Sequence, residues 1–498
     1  MLQLQRSSAP RPSRGNSMSD SSLRLLLVSL MLLPVGSMIH AAPRSDGELT
    51  VEVVDAETLK PLAARMHLKN SRGRPVRLRV AGSHPFADHF YIDHQTTLGL
   101  RVGQYEFELE SGPEYRTQSG HFEIVRHAED TKRIEMSPFA NLAKEGWYGG
   151  DLDVERLAAG LPLAQKAESL ALVANRHESA ANVVIGDLLI FGLSQPLDFD
   201  GKTSLEVLRA AKGQGAHVVA RTPFAWDLPV WLASGELDAI DVIHHHALRD
   251  AVVDNERDGR PRDKTFFPGR RGNGRWSESI YHHVLNCGLR IPPAAGSGSG
   301  SNDSPLGTNR VYVFCGDRFS PEDWWDGLDA GRVFITNGPL LRPLVEGQPP
   351  GYVFHLQGSG PQTFEIGLNL ATRVPVEYLQ IVKNGVVEHE VRLDEFAAQG
   401  GKLPPLSFDT SGWFLVRAVT NNSQNYQFAA TGPYYVERGR QPRVSRASVQ
   451  FFLDWIAANE SRIRSLTNVP DPLREKMLAE QASARAFFDD LAASANAD

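Results

Sequence analysis

The sequence has few cysteines and no excess of charge of either sign. Only two of its 498 residues are cysteine, Cys287 and Cys315, so a disulfide framework does not hold the fold together. An oxidising compartment would permit one bond between them, and two buried free thiols are the alternative. The formal net charge is -7, with both signs interspersed, which argues against nucleic acid as a partner. After residue 42 no apolar run is long enough to span a bilayer, so we expect no transmembrane segment in the mature chain.

Residues 1–42 have the pattern of a removable secretory signal. Three arginines precede the apolar run of residues 23–35, and Ala41 and Ala42 follow it. The run is shorter than the ~20 residues of a spanning helix, which favours cleavage near the two alanines over a membrane anchor. We therefore expect an extracytoplasmic protein, either periplasmic or secreted.

The remaining chain predicts a multidomain protein that combines α/β and all-β parts. Residues 48–140 alternate with period two between glycine turns, which predicts an N-terminal β-sandwich. This segment resembles the transthyretin-like or carboxypeptidase-regulatory-like modules of exported bacterial proteins. In residues 145–343 short apolar strands alternate with helices, which predicts a parallel sheet or a small or incomplete α/β barrel; such barrels place their chemistry at the C-terminal strand ends. Residues 344–440 predict a second β-sandwich, and residues 445–498 predict a helical tail that packs on the barrel or reaches a partner.

The first candidate site opens the barrel segment. Strand alternation places Asp151, Asp153 and Glu155 on one face. Three carboxylates on one face repel each other unless a cation neutralises them. A divalent metal ion would do so, and so would Arg156 or another basic group; the alternative is a solvated strand face.

Histidines make up the other candidate sites. His244 and His246 follow the apolar strand that begins at Ala239, and they share one side of the chain. His177 follows another apolar run, and His217 opens a strand. Imidazole is the most frequent metal ligand, whereas a hydrogen-bonded structural histidine is the alternative for each position.

Several long phrases resemble the CehA/McbA-type family of the polymerase-and-histidinol-phosphatase-like (PHP) metallohydrolases. These phrases are GWYGGDLDVER (146–156), PFAWDLPVWLASGELDAID (223–241), LNCGLRIPPAAGSGSGS (285–301), LGTNRVYV (306–313) and AGRVFITNGPLLRP (330–343). The resemblance implies a distorted β/α barrel that binds one to three divalent metal ions and activates water to hydrolyse phosphoester or ester-type bonds.

The chain departs from two motifs of that family. The first motif normally reads Asp-Leu-His-x-His, and here Asp153 and Glu155 occupy the histidine positions. The terminal motif commonly reads Gly-Ser-Asp-x-His, and here Gly298 and Gly300 replace its aspartate and histidine. Carboxylates can bind metals in place of imidazoles, but the loss of the terminal pair removes ligands outright.

Two function hypotheses follow. The first is an exported metal-dependent hydrolase that acts on a small molecule or a glycan. Its manganese, zinc or iron ion activates water, with Arg156 and His217 as candidate catalytic residues. Its candidate metal ligands are Asp151, Asp153, Glu155, His177, His244 and His246.

The second hypothesis is a catalytically degenerate barrel that holds no metal and binds a ligand such as a cell-surface glycan. The altered motifs and the flanking β modules motivate it. Trp226, Trp231, Trp324 and Trp325 could supply sugar-stacking faces, whereas burial in a core is the commoner fate of tryptophan.

Overall fold

The computed structural model describes residues 45–83, 86, 88–257 and 259–498. The predicted secretory signal of residues 1–42 therefore lies outside the described residues. In the described part the chain is a mixed α/β protein with strands in five sheets and eight α-helices. The predicted combination of α/β and β-rich parts is confirmed at this level.

The N-terminal region consists of two sheets around one apolar core. Its strands are β1 (Gly47–Asp55), β2 (Ala64–Asn70), β3 (Phe90–Ile92), β4 (Gln95–Leu100), β5 (Gly103–Glu110), β6 (Gln118–Ile124) and β7 (Glu129–Met136). One sheet has the order β4-β1-β7 and the other the order β3-β2-β5-β6. In β1, Leu49, Val51 and Val53 are buried in the shared core, whereas Glu48 is exposed. Period-two alternation in the sequence thus matches one buried face and one solvated face.

The α/β region follows and divides its strands between two sheets. Its elements are β8 (Trp147–Val154), α1 (Leu161–Ala167), β9 (Leu172–Asn175), β10 (Asn182–Ile185), β11 (Leu188–Phe191), α2 (Ser204–Lys212), β12 (His217–Ala220), α3 (Leu228–Ser234), β13 (Ala239–Ile243), α4 (Gly272–Asn286), β14 (Pro293–Ala295), β15 (Arg310–Phe314), α5 (Pro321–Asp329) and β16 (Val333–Thr336). One sheet has the order β10-β11-β12-β13-β14, while β8, β9, β15 and β16 belong to a ten-stranded sheet. Strand β14 lies against β8 and β16, which brings the two sheets together. A closed PHP-like barrel stays a prediction.

Six of the C-terminal strands continue that large sheet, whereas β17, β19 and β22 form a separate three-stranded sheet. Their elements are β17 (Leu340–Val345), β18 (Val353–His355), β19 (Gln362–Ala371), β20 (Val376–Lys383), β21 (Val386–Val391), α6 (Leu393–Ala398), β22 (Lys402–Phe408), β23 (Gly412–Thr420), β24 (Phe428–Thr431) and β25 (Tyr434–Glu437). Strand β16 pairs antiparallel with β24, with Ile335 opposite Ala430. Hydrogen bonding therefore crosses the boundary that the sequence predicts at residue 343.

Two helices, α7 (Arg446–Ser465) and α8 (Asp471–Ala493), form the C-terminal tail. The Ser445 hydroxyl accepts a hydrogen bond from the Ser448 backbone N–H and caps α7. Trp455 and Ile456 of α7 are buried. The two helices pack against α3, and α7 also packs against α4. The tail thus covers the α/β region. None of the helices in the described part of the chain combines the length and the apolar character that a bilayer crossing requires.

Candidate functional site

The ends of β8 and β13 bring three aspartates together against the loop of residues 296–300. Asp151, Asp153 and Asp241 are completely buried. Oδ1 of Asp151 accepts a hydrogen bond from the Ser297 backbone N–H at 2.9 Å. Its Oδ2 accepts from the Ser297 hydroxyl at 2.5 Å and from the Gly307 backbone N–H at 2.7 Å. Burial raises the pKa of Asp151 to about 6, because the charged form loses its hydration.

Two arginines neutralise Asp153 of β8 and Glu155, which directly follows that strand. Nε of Arg176 lies 3.3 Å from Oδ1 of Asp153, and Nε of Arg221 lies 2.7 Å from Oδ2. Nη1 of Arg176 also lies 2.7 Å from Oε2 of Glu155. Sequence reasoning required a cation here but missed both arginines. The available signal was their position, since Arg176 directly follows β9 and Arg221 directly follows β12.

The three consecutive histidines lie together, but they differ in their contacts. Nε2 of His244 lies 2.9 Å from the Ser277 hydroxyl, and its Nδ1 accepts from the His246 backbone N–H at 3.4 Å. His245, which the sequence did not single out, faces the aspartates, with Nδ1 3.8 Å from Oδ2 of Asp153. Burial lowers the pKa of His244 and of His245 well below the usual value, so both are neutral near pH 7.

The remaining predicted residues are arranged less favourably for chemistry. His177 is half-buried beside Arg176, and its Nε2 lies 3.8 Å from Glu178. Arg156 is buried, and its Nε donates to the Ser299 hydroxyl at 2.7 Å. His177 is adjacent in sequence to Arg176, which contacts Asp153, and Arg156 directly follows Glu155. Arg156, however, already binds the loop of residues 296–300.

His217 does not join the cluster. It begins β12, whereas Arg221, after the end of the same strand, contacts Asp153. Its ring stacks on Trp325 with a centroid distance of 4.0 Å. The structure therefore places His217 and the aspartates at opposite ends of one strand. Of the four predicted sugar-stacking tryptophans, Trp231 and Trp324 are almost wholly buried, and His217 covers Trp325.

The glycines of the altered terminal motif fit the close approach of their loop to β8 and β13. A Cβ at Gly296 would lie 2.6 Å from Cβ of Asp153, and a Cβ at Gly298 would lie 2.6 Å from Cβ of His245. A Cβ at Gly300 would lie 1.8 Å from the Glu155 carbonyl oxygen. Neighbouring residues such as Asp153, His245 and Glu155 thus occupy the space that a side chain at these loop positions would need.

Asp241 is the one carboxylate of the cluster that lacks compensation. Neither of its oxygens has a hydrogen-bond partner among the described residues. Burial, followed by the charges of Asp153 and Asp151, raises its pKa well above the usual value. Loss of hydration and the neighbouring carboxylates thus favour the protonated form of Asp241 over the charged form.

As arranged, three of the six predicted ligands, Asp151, Asp153 and His244, have their ligand atoms engaged by other groups, whereas Nε2 of His177 is buried without a hydrogen-bond partner among the described residues. The oxygens of Asp151 and Asp153 accept hydrogen bonds or face guanidinium groups, and both ring nitrogens of His244 are engaged. Metal ligands must offer free lone pairs from three or four side chains at about 2.0–2.3 Å from one point. The guanidinium groups of Arg176 and Arg221 supply the positive charge that a metal would otherwise provide.

A polar cavity of about 410 Å³ lies beside this cluster, across Gly307. We call it the three-domain cavity, because residues of the N-terminal region, the α/β region and the C-terminal strands all line it. Its lining includes Arg65, Glu108, Glu110, Thr117, Glu168, Arg249, Asp250, Thr308, Arg310, Asn337, Arg373, Asn422 and Gln427. Glu110 forms ion pairs with Arg65 and Arg249 at 2.8 Å and with Arg373 at 2.7 Å. Although burial opposes it, these arginines hold the pKa of Glu110 below its usual range.

Comparisons with known proteins give no family. No family model and no curated protein matches the sequence. Among solved structures, the Bacillus anthracis TIE protein is 18% identical over 22% of this chain and 19% of its own, with a TM-score of 0.15. A pilus-presented adhesin is 15% identical over 20% of this chain and 28% of its own, with a TM-score of 0.15. Parabacteroides merdae beta-glucuronidase is 10% identical over 78% of this chain and 63% of its own, with a TM-score of 0.18. Such low scores carry no argument about fold or function.

Proposed function

We propose that this chain is an extracytoplasmic protein that binds a neutral, hydroxyl-rich ligand such as a glycan segment and does not hydrolyse it. The sequence of its α/β region resembles that of a metallohydrolase family, but Arg176 and Arg221 neutralise Asp153 and Glu155 from within the chain. The observation that carries the proposal is the three-domain cavity, whose lining is polar and charged.

The charges of the cavity lining balance. Four arginines face four carboxylates, and amide side chains lie among them. The arginines are Arg65, Arg249, Arg310 and Arg373, and the carboxylates are Glu108, Glu110, Glu168 and Asp250. A ligand hydroxyl donates one hydrogen bond and accepts others, so it satisfies both kinds of group without adding net charge. The volume of about 410 Å³ lies in the range of roughly 300–1,000 Å³ that small-molecule sites occupy.

The aspartate cluster supports a binding role over hydrolysis. A metal-activated hydroxide requires ligands with free lone pairs and an open coordination position. Asp153 instead faces Arg176 and Arg221 on its two oxygens. Because Gly298 has no room for a Cβ beside His245, the loop cannot supply a replacement ligand without moving.

A glycan-binding screen of the chain without residues 1–42 tests this proposal. Thr117 is exposed and lines the cavity, so Thr117→Trp fills the mouth without touching the arginine pairs. We expect a bound glycan to lose at least about tenfold in affinity, or about 1.4 kcal/mol. Thr131→Trp is the matched control, because Thr131 is exposed on β7 outside the cavity lining.

Two results would contradict the proposal. Chelator-sensitive hydrolysis of a phosphoester or ester by the wild-type chain would restore the metallohydrolase hypothesis. Equal glycan affinity in Thr117→Trp and Thr131→Trp would remove the three-domain cavity as the binding site.

A further inference from the structure

A second cavity, of about 500 Å³, lies between the N-terminal sheets and the start of β8. We call it the aromatic cavity, because its lining includes Tyr115, Phe139, Trp147, Tyr148 and Tyr312. It shares no lining residue with the three-domain cavity, so it offers a separate site. Aromatic faces carry partial negative charge, which attracts cations.

The charged residues of this lining are mostly acidic. Asp55, Glu57 and Glu114 face one basic residue, Lys144, which is exposed. Asp55 is already engaged, since it accepts hydrogen bonds from the Tyr115 hydroxyl at 2.9 Å and from the Thr58 backbone N–H at 2.7 Å. Glu114 is the better counter-charge for a ligand in the cavity.

Glu114 is half-buried and only partly compensated. Its Oε2 accepts a hydrogen bond from the Leu142 backbone N–H at 2.7 Å. Burial raises the pKa of Glu114, although Arg310 and Arg342 oppose the shift. A cation that binds beside such a carboxylate stabilises its charged form.

The Tyr312 hydroxyl is a second, independent sign of a missing ligand. It is buried and makes no hydrogen bond of ordinary geometry among the described residues, although the Arg310 side chain approaches it. The Tyr312 ring is fixed by stacking on Phe334 at a centroid distance of 4.8 Å. A Cβ at Gly149 would lie 3.1 Å from the same ring, so the glycine keeps this wall of the cavity close-packed. Buried hydroxyls normally find a partner, and a polar ligand group in the cavity would supply one.

We propose that the aromatic cavity binds an organic ammonium ligand. Its cationic nitrogen pairs with Glu114, the rings of Tyr148 and Phe139 contact its alkyl groups, and a polar substituent reaches the Tyr312 hydroxyl. This site is independent of the proposed glycan-binding function, because a different cavity carries it.

The test compares choline with 3,3-dimethylbutan-1-ol, which has the same shape but no charge. Isothermal titration of the chain without residues 1–42 should show choline binding at least about tenfold more tightly than the neutral alcohol. Glu114→Gln should weaken choline at least about tenfold and leave the alcohol unchanged. Glu129→Gln, an exposed position on β7, should change neither affinity.

Glu114→Gln retains an oxygen that accepts from the Leu142 N–H, so the fold is preserved, as its circular dichroism should confirm. Tyr148→Leu provides a second variant, which removes the aromatic face but keeps apolar bulk. Absence of choline binding by the wild-type chain, equal binding of choline and the alcohol, or full choline affinity in both variants would each overturn the proposal. None of these results bears on glycan binding in the three-domain cavity.

Discussion

Nε of Arg221 lies 2.7 Å from Oδ2 of Asp153, a carboxylate with no exposed surface. Arg176 approaches the other oxygen of the same carboxylate at 3.3 Å. The site in which the sequence predicts a metal ion is thus held together by side chains of β8 and of the residues that follow β9 and β12. This pairing explains how Asp153 stays buried although the carboxylates of Asp151 and Glu155 lie close to it.

Removal of one arginine should destabilise the α/β region. Arg221→Met leaves Asp153 with one partner, so we expect a loss of about 3 kcal/mol in the free energy of unfolding. Urea unfolding followed by tryptophan fluorescence measures the change. Arg133→Met is the control, because Arg133 forms a surface pair with Glu52 and such pairs contribute about 0–1 kcal/mol. Equal losses in the free energy of unfolding would show that the buried pair stabilises the fold no more than the surface pair does.

An aspartate placed at position 298, as in the terminal motif that the sequence resembles, should disrupt the loop and build no metal site. A Cβ there would lie 2.6 Å from Cβ of His245, and φ is +67°. We expect Gly298→Asp to cost about 2–4 kcal/mol from the clash and the left-handed backbone together. Gly73→Asp has a similar φ of +69° with nothing within 4 Å, so it should cost only about 1–2 kcal/mol. Thermal unfolding compares the two, and a fully stable Gly298→Asp that takes up zinc would contradict the account.

The raised pKa of Asp241 should make stability fall as pH rises. Its pKa is raised well above the usual value in the folded chain, so the folded state keeps a proton that the unfolded state loses above about pH 4. From about pH 4 toward the folded-state pKa, this group therefore costs up to about 1.4 kcal/mol per pH unit. Asp241→Asn does not titrate, and its stability relative to wild type should rise between about pH 4 and pH 7.

Urea unfolding at several pH values measures that difference. Asp200→Asn is the control, because Asp200 is exposed. Parallel stability curves for wild type and Asp241→Asn would show that Asp241 has an ordinary pKa in the folded chain.

Arg373 should hold the N-terminal sheets against the rest of the chain. Its Nη1 lies 2.7 Å from Glu110, and its Nε donates to the Tyr115 carbonyl oxygen at 2.6 Å. Arg373→Met should expose the connection of residues 137–146 and speed its proteolysis roughly tenfold, because cleavage follows the population of the opened state. Arg392→Met, an exposed position paired with Asp394, should leave the cleavage rate unchanged.

Local patterns in the sequence predicted the elements whose cause is local. Alternation in Leu49–Val54 corresponds to β1, and apolar spacing around Phe452 and Trp455 corresponds to α7. The common face of Asp151 and Asp153 also followed from strand geometry alone. In each case the period of burial is a property of one segment.

Relationships between distant segments could not be predicted in the same way. Arg176 and Arg221 meet at Asp153 only because β8, β9 and β12 end near one another, and β16 pairs with β24 across about ninety residues of chain. The catalytic role of His217 stays a prediction. The structure separates His217 from the aspartates, because it begins β12 whereas Arg221, which contacts Asp153, follows the end of that strand.

Metal content distinguishes an internally neutralised carboxylate cluster from a working metal site. The chain without residues 1–42 is incubated with manganese and zinc, dialysed and analysed for bound metal beside the Asp153→Ala, Glu155→Ala double variant. Because Arg176 and Arg221 neutralise the cluster, the account predicts the same metal content in both proteins. At least one equivalent of metal in the wild type that is lost in the double variant would contradict it.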